Sequence, residues 1–371
     1  SGRAQAGRKF FLLFSLLGSI PLLIALVEIH HQSGSLDLLA LPAFSHAKFS
    51  AGGARVGSGK LMFALLMLTF LTRLAVVPLH RWVIDAHAQL PAPFSMIVPL
   101  MQTILGGYGI FRIAYPLFPD AAKSLWLAIA ILGIITLLYG AMCALAQTDL
   151  KRLIAYASIS QTGLILLGAA VMTRAGMNGA IYTMIAHAIT FAMLFFLAGV
   201  IGNRTHPHDL SRLGGLGSGA PGLFGFATLA FFTAMGLPPF CGFIGEFLVL
   251  MGTFQAARPD SVLTAGGYAH AGQLYALATL GCVGGIVAAG IMLKALHRTF
   301  FGPARAEHAD IKDLTPREIA VMAPLAAAAL ILGILPSATI MPLIRTTVKN
   351  LHDVEKGPRL GPLGMQRDFG A

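Results

Sequence analysis

Nine apolar runs, each long enough to cross a lipid bilayer, dominate this sequence. The hydrocarbon core of a bilayer needs roughly 20 apolar residues per helix. The runs lie at about 10–29, 61–83, 94–115, 122–146, 151–172, 176–201, 219–253, 272–297 and 318–340. Only 11% of the residues are charged, whereas a typical soluble domain has about 25%. The sequence therefore predicts an all-α polytopic membrane protein.

Two of the nine runs contain prolines in their interior. Pro78 lies in the second run, and Pro238 and Pro239 lie in the seventh, which is also too long for one straight span. Proline removes a backbone donor and breaks a helix. Paired interrupted helices are the expected sign of a transporter built from inverted repeats. We therefore expect two broken helices in an inverted-repeat arrangement.

A single carboxylate stands out within the seventh run. Glu246 follows the Pro238-Pro239 break, and no other charged residue lies between Leu213 and Arg258. A charge inside hydrocarbon costs several kcal/mol, so an intramembrane carboxylate indicates ion or proton movement. The broken backbone beside it also needs protein or water partners. The alternative is a structural carboxylate that is satisfied at a helix–helix contact.

The charged loops predict an orientation. The formal net charge is +11, from 26 Lys and Arg against 15 Asp and Glu. Loops on the side of residue 1 carry 12 Lys and Arg, and those on the other side carry 7, leaving out the C-terminal segment with its five. The positive-inside rule then places residue 1 in the cytoplasm. Because the basic residues are scattered over loops, they do not indicate nucleic-acid binding.

Composition and motifs also limit what the chain binds. The three cysteines lie in apolar runs with no metal-ligand spacing, and no phosphate loop or nucleotide fingerprint is visible. We therefore expect no cofactor on this chain. Residues 1–9 are interpreted as a cytoplasmic start at the edge of a longer protein, 10–340 as the transmembrane domain and 341–371 as a polar C-terminal tail.

Several distinctive segments are spread over nearly the whole chain. They are VPLHRWVIDAH at 77–87, GGYG at 106–109, AQTDLKRLIAYASIS at 146–160, MIAH at 184–187, GLP at 236–238 with GEF at 245–247, and LHRTFFG at 296–302. In sequence and in order, these segments resemble the antiporter-like, proton-translocating subunits of respiratory complex I, above all the type called subunit M in bacteria.

The resemblance implies a partial copy of that fold and a place in a large assembly. The family has about fourteen spans, of which this chain resembles the last nine. The implied partners are other membrane-arm subunits and the lipid bilayer. NADH, FMN, iron–sulfur clusters and quinone would then belong to partner subunits. The implied location is the bacterial inner (cytoplasmic) membrane.

Compared residue by residue with the family pattern, this chain has the family's residue at some proton-relay positions and a different residue at others. Glu246 matches the family's distal acid, and His187 matches a family histidine. Gln161 replaces a central histidine, and Ile104 replaces a central lysine. Arg73 stands where the family has a lysine, and arginine does not release its proton in proteins. Lys294 is an additional cation in the eighth run.

These positions leave two hypotheses open. In the first, water with Gln161, Thr103 and Gln102 bridges from Arg73 to His187 and on to Glu246. In the second, the chain is a non-pumping paralogue in a complex-I-like or membrane-bound hydrogenase assembly. An Mrp-type cation/proton antiporter subunit shares much of the pattern and stays a further alternative.

Single residues of the set also have structural interpretations. His187 would then be a hydrogen-bonded core histidine. Arg73 would clamp a carbonyl at the Pro78 break, and Lys294 would anchor a span end by snorkelling.

Overall fold

The computed structural model describes residues 2–37, 59–205, 210, 212–303 and 311–355. Within these ranges the regular structure is helical. The main helices are α1 (Gly2–Ser33), α2 (Gly59–Leu74), α3 (Arg81–Gln89), α4 (Ala92–Gly109), α5 (Pro119–Leu145), α6 (Leu150–Ala170), α7 (Arg174–Thr205), α8 (Pro221–Ala234), α9 (Cys241–Ala256), α10 (Ala271–Phe300), α11 (Pro316–Ile334) and α12 (Met341–Glu355). The predicted all-α fold is confirmed.

Six helical segments are long and apolar enough to cross a membrane, and three shorter apolar helices accompany them in the described part of the chain. The six are Pro93–Leu117, Pro119–Leu145, Leu150–Ala170, Arg174–Thr205, Ala271–Phe300 and Pro316–Ile334. Helix α4 reaches Leu117 through a π-helical turn at Ile110–Ala114. We call the side where α6 begins the near side and the side where α7 begins the far side.

Both predicted breaks are present. The run at 61–83 is divided between α2 and α3, and the run at 219–253 is divided between α8 and α9. The prediction was less accurate at the C-terminal end. The run at 318–340 ends as a helix at Ile334, because a turn at 336–340 interrupts it. The segment predicted as a polar tail begins with α12, while 356–371 lie outside the described residues.

The first break keeps its backbone groups bonded. Ala75 adopts a positive φ of 56°, and the Val77–Pro78 peptide bond is cis. The amide of Val76 donates to the Leu71 carbonyl at 3.1 Å, and that of Val77 donates to Thr136 Oγ1 on α5 at 3.2 Å. Non-helical backbone at membrane depth requires such internal partners.

The second break turns at a glycine. Gly236 has a φ of 65°, and the Pro238–Pro239 bond is cis. Glycine adopts this left-handed conformation without steric cost. The Leu237 amide donates to the Phe232 carbonyl at 3.2 Å. Helix α11 packs closely against the turn, because a side chain at Gly333 would collide with the Pro239 carbonyl. The break is therefore an ordered element.

Helices α6 and α7 form the centre of the molecule. In the most apolar stretch of each, 94% of α6 and 83% of α7 is buried, against 39% of α10 and 22% of α11. Small residues allow α9 to approach α7 closely. A Cβ at Gly252 would meet the backbone of Gly176, and one at Gly245 would meet Thr183. Such contacts are how helices associate tightly in a membrane, and this one brings α9 against the core.

Helix α12 packs back onto the bundle. Met341, Ile344 and Val348 are buried, and the helix contacts α7. Their three- and four-residue spacing places them on one face, as expected for an amphipathic helix. This part of the predicted tail is therefore a structural element of the domain.

Candidate functional site

Glu246 lies in the second turn of α9, just after the second break. Its Oε1 accepts a 2.8 Å hydrogen bond from Nε2 of Gln161 on α6. Gln161 is 9% exposed and Glu246 is partly buried. A buried carboxylate needs such donors, because an unsatisfied charge is costly. The structure therefore joins two of the residues singled out in the sequence.

The glycine of the break makes room for the same carboxylate. A Cβ on Gly236 would collide with Glu246 Oε2. The left-handed turn and the acid thus form one unit, in which backbone from the end of α8 lies directly against the carboxylate. Any side chain at Gly236 would displace one or the other.

A cavity of about 20 Å³ lies beside the carboxylate, between α6, α7, α8 and α9. Its polar lining comes from Gln161, Thr183, His187, Thr190, Thr233 and Glu246, and its apolar lining from Ala186, Phe191, Ala234 and Gly242. A cavity needs roughly 10–15 Å³ and two to four polar partners to hold a water molecule. This cavity therefore has room for one water molecule between His187 and Glu246.

The threonine hydroxyls around the cavity already donate hydrogen bonds to backbone carbonyls. Thr183, Thr190 and Thr233 each donate to the carbonyl four residues earlier, at 2.7, 2.7 and 2.8 Å. A hydroxyl oxygen that donates its proton still has lone pairs to accept with. The cavity wall thus offers acceptors from the threonines and a donor from Gln161, a suitable set for orienting water.

His187 lies on α7 at the edge of this cavity. Its Nε2 is 3.1 Å from Ser158 Oγ and 3.3 Å from the Ser158 carbonyl on α6. Its ring packs against Phe191, with the centroids 4.4 Å apart. Nδ1 is buried and has no hydrogen-bond partner among the described residues. A proton on Nε2 would donate to Ser158 and leave Nδ1 as an acceptor, so this geometry suits a group that exchanges protons.

His87 is a buried residue whose position the sequence did not reveal. It lies on α3 and stacks on Phe195 of α7, with ring centroids 3.9 Å apart. Both of its nitrogens are buried without a partner in the described part of the chain. It is close enough to His187 and Lys151 to interact with them electrostatically. The sequence contains no sign of this position, since it depends on how α3 and α7 pack.

Lys151 is a further buried polar residue, on the near side of His87. Its ammonium donates to the Leu90 carbonyl at 3.4 Å, and its side chain is buried. Asp149 accepts the Arg152 amide at 2.8 Å and caps α6. Buried polar groups thus extend from Glu246 through His187 and His87 to the near end of α6.

Arg73 lies apart from the cavity. Its guanidinium donates to Ser19 Oγ on α1 at 3.4 Å. Thr103 donates to the Pro99 carbonyl at 2.8 Å. Of the residues that the structure describes, the cavity lining includes neither Gln102 nor Thr103. The bridge from Arg73 to His187 therefore stays a prediction.

Two further sequence positions lie on the outside of the described chain. Ile104, where the family has a lysine, is 42% exposed on α4. Lys294 is exposed on α10 and does not line the cavity. Its role as a relay cation stays a prediction, and its exposure fits the alternative of a snorkelling anchor.

A sequence model of the family described as "NADH:quinone oxidoreductase/Mrp antiporter, TM" matches residues 1–269. The chain belongs to this family. It is an integral membrane protein, and its relatives include bacterial ones, which agrees with a bacterial inner membrane.

The relatives support the M-type resemblance. NADH-quinone oxidoreductase subunit M of Rhodobacter capsulatus is 33% identical over 362 residues, covering 94% of this chain and 67% of that protein. Subunit M of Rickettsia prowazekii (strain Madrid E) is 32% identical over 350 residues, covering 94% of this chain and 66% of that protein. The chain thus spans about two thirds of the length of these relatives.

Solved structures share the family's fold. A chain of respiratory complex I from Thermus thermophilus is 28% identical, with a TM-score of 0.81 over 95% of this chain and 70% of that chain. A chain of the Mrp complex from Dietzia sp. DQ12-45-1b is 24% identical, with a TM-score of 0.77 over 94% of this chain and 68% of that chain. The second likeness shows the fold alone, and together they support the antiporter-like architecture.

Proposed function

We propose that this chain is a membrane-arm subunit that translocates protons, coupled to NADH:quinone oxidoreduction in partner subunits. The observation that carries the proposal is the Glu246 carboxylate, held by Gln161 at a helix break and sharing a water-sized cavity with His187. An ionisable residue within a membrane is by default a functional site. The relatives named subunit M support the coupling to NADH and quinone.

In this proposal the redox chemistry belongs to other chains. NADH, FMN, iron–sulfur clusters and quinone would bind to partner subunits, and this chain would supply the proton path. In the part of the chain that the structure describes, no group of three or more His, Cys, Asp or Glu residues is arranged to hold a metal ion. The partners are other membrane-arm subunits of a complex-I-like assembly.

In this proposal some residues exchange protons and others orient the groups that do. Glu246 and His187 take up and release protons, and a water molecule in the cavity between them passes the proton on. Gln161 cannot carry a proton itself, so it holds the carboxylate and orients that water. Arg73, which keeps its charge, sets the local electrostatic potential from the side of α1.

A non-pumping role is the second candidate, and a specific observation favours it. Ile104 occupies the position of a family lysine and has nothing to ionise, so a central relay group is missing. The chain would then serve as a structural piece of the membrane arm. The Mrp-type alternative predicts instead a flux that depends on sodium.

The deciding experiment is proton flux in proteoliposomes that contain the whole complex. We expect Glu246→Gln to lower the number of protons moved per NADH oxidised, because an amide cannot exchange a proton. Glu28→Gln is the matched control, since it changes another glutamate of an apolar helix that does not line the cavity. Unchanged coupling in Glu246→Gln would favour the structural role, and a requirement for sodium would favour the antiporter.

A further inference from the structure

A second, larger cavity opens on the far side, away from Glu246. It has a volume of about 330 Å³ and lies where the loop between α6 and α7 meets the end of α9. Its lining consists of Met172, Thr173, Arg174, Gln255, Arg258, Asp260, Ser261 and Val262. Sites for small ligands occupy roughly 300–1,000 Å³, so this cavity is large enough for a headgroup.

Two guanidinium groups face this cavity from different elements. Arg174 is the first residue of α7, and Arg258 follows α9. Arg258 Nε pairs with Asp260 Oδ1 at 3.3 Å, and the two side chains are 65% and 76% exposed. Exposed pairs of this kind contribute little free energy. Asp260 therefore keeps Arg258 at the cavity without binding it firmly.

The other polar groups of the lining build the wall. Thr173 Oγ1 donates to the Gly252 carbonyl at 3.0 Å and accepts the Gly176 amide at 3.1 Å. Ser261 Oγ donates to the Ala256 carbonyl at 2.6 Å. These two hydroxyl protons are already used, and the charged donors of the lining are the guanidinium groups of Arg174 and Arg258. The planar fork of arginine matches the oxygens of a phosphate.

Aromatic residues indicate the depth of this cavity. Phe254, Tyr268 and Tyr275 are 41%, 44% and 50% exposed, and the rings of Phe254 and Tyr275 lie 6.3 Å apart. Phe254 and Tyr275 lie at the far ends of α9 and α10, and Tyr268 lies in the loop that joins these helices. Exposed tyrosines are enriched at the level of lipid headgroups. The cavity therefore opens at the depth where phospholipid phosphates are found.

We propose that this far-side cavity is a binding site for the phosphate of an anionic phospholipid, held by Arg174 and Arg258. The acyl chains lie along the exposed apolar surface beside Phe254. Asp260 competes with the phosphate for Arg258. This site is separate from the Glu246 cavity and does not depend on the proposed proton path.

The test uses the full chain purified in detergent and measures lipid binding by native mass spectrometry. The probes are phosphatidylglycerol, diacylglycerol with the same tails, and soluble glycerol 3-phosphate. We expect phosphatidylglycerol to bind, and Arg174→Gln with Arg258→Gln to weaken it at least about tenfold, since two charged donors are lost. Lys123→Gln is the matched control. It removes another far-side cation of a salt bridge outside the cavity, and we expect less than about a twofold change.

Each remaining outcome decides the proposal. Equal phosphatidylglycerol binding by wild type and the double variant overturns it, as does equal binding of diacylglycerol. If glycerol 3-phosphate binds as tightly as phosphatidylglycerol, the ligand is a free phosphate ester and the lipid is excluded. Asp260→Asn covers the case in which the double variant does not fold. Its binding should tighten several-fold, and unchanged or weaker binding contradicts the proposal.

Discussion

Nε2 of Gln161 donates a 2.8 Å hydrogen bond to Oε1 of Glu246 across 85 residues of sequence. The donor is a neutral amide, so the carboxylate is oriented without a counter-charge. The other oxygen, Oε2, lies against Gly236 of the break. The acid is therefore fixed on one side by a side chain of α6 and on the other by backbone of the turn.

Removing the amide should impair both stability and flux. In Gln161→Leu the carboxylate loses its donor, and leaving a buried acceptor unsatisfied costs about 1–3 kcal/mol. We expect a lower thermal unfolding temperature and a proton flux reduced about tenfold in proteoliposomes. Gln147→Leu is the control, because the Gln147 side chain donates to the Cys143 carbonyl at 3.1 Å and does not line the Glu246 cavity. Full flux in Gln161→Leu would show that the hydrogen bond is dispensable for transport.

The fit between Gly236 and Glu246 gives a second prediction. Gly236→Ala places a methyl group against the carboxylate and forces a non-glycine residue into a φ of 65°. The backbone term alone costs about 1–2 kcal/mol. We expect Gly236→Ala to lower proton flux as well as the unfolding temperature.

Gly267→Ala separates the two causes. Gly267 has a φ of 71°, but nothing lies within 4 Å of a Cβ there. This variant carries the backbone cost without touching the carboxylate, so its flux should match that of the wild type. Equal loss of flux in both variants would mean that strain, and not contact with Glu246, is responsible.

The close approach of α7 and α9 gives a third prediction. Gly252→Ala drives a methyl group into the backbone of Gly176, and overpacking of this kind typically costs 1–3 kcal/mol. The unfolding temperature should fall. Gly285→Ala is the control, since a Cβ at that helical position meets nothing within 4 Å. Because alanine favours a helix over glycine by roughly 0.5–1 kcal/mol, we expect this control to be neutral or stabilising.

Asp313, in the near-side loop before α11, gives a prediction that depends on pH. Its carboxylate accepts the amides of Gly222 and Leu223 at 2.8 Å each, and so caps α8 from another part of the chain. Loss of a cap costs about 1 kcal/mol. We expect Asp313→Ala to lower the free energy of unfolding by about that amount at neutral pH.

The sign of the pH effect follows from the hydrogen bonds. Burial alone would raise the pKa of the Asp313 carboxyl, but the backbone amides outweigh burial, and the pKa lies below its ordinary value of 3.8. The stabilisation is therefore present above pH 3.8 and is lost as the pH falls through the lowered pKa of the folded state. Denaturation of wild type and Asp313→Ala at several pH values measures this. Asp120→Asn is the control, because this exposed carboxylate pairs with Lys123. A difference that persists unchanged at the lowest pH would contradict the assignment.

The sequence predicted the features that depend on local chemistry. Pro78 and the Pro238-Pro239 pair cannot continue a helix, so both breaks were visible. Glu246 was visible because no other charge lies near it in the sequence. The pairing of Glu246 with Gln161 was not predictable, since it depends on how α6 and α9 pack. Helices that are apolar all round carry no stripe to indicate which face meets a neighbour.

The same limit explains the residues that sequence reasoning missed or left open. The burial of His87 depends on the contact between α3 and α7, where Phe195 stacks on its ring, and the sequence does not predict that contact. Lys294, like Glu246, is an ionisable residue in an apolar run, but its side chain is exposed on α10, and the sequence pattern of that helix does not determine which way it faces. Helix α12 was predicted to be tail because the segment 341–371 is polar and basic as a whole, although Met341, Ile344 and Val348 are buried.

The glycine contact between α7 and α9 also restricts where a proton can leave. Gly176 and Gly252 bring two backbones into contact, which leaves no room for water between the helices at that point. If Glu246 releases protons as proposed, they would leave sideways, past the exposed turn formed by Leu237, Pro238 and Pro239. A neighbouring subunit that packs against this turn in the assembled complex would then line the exit.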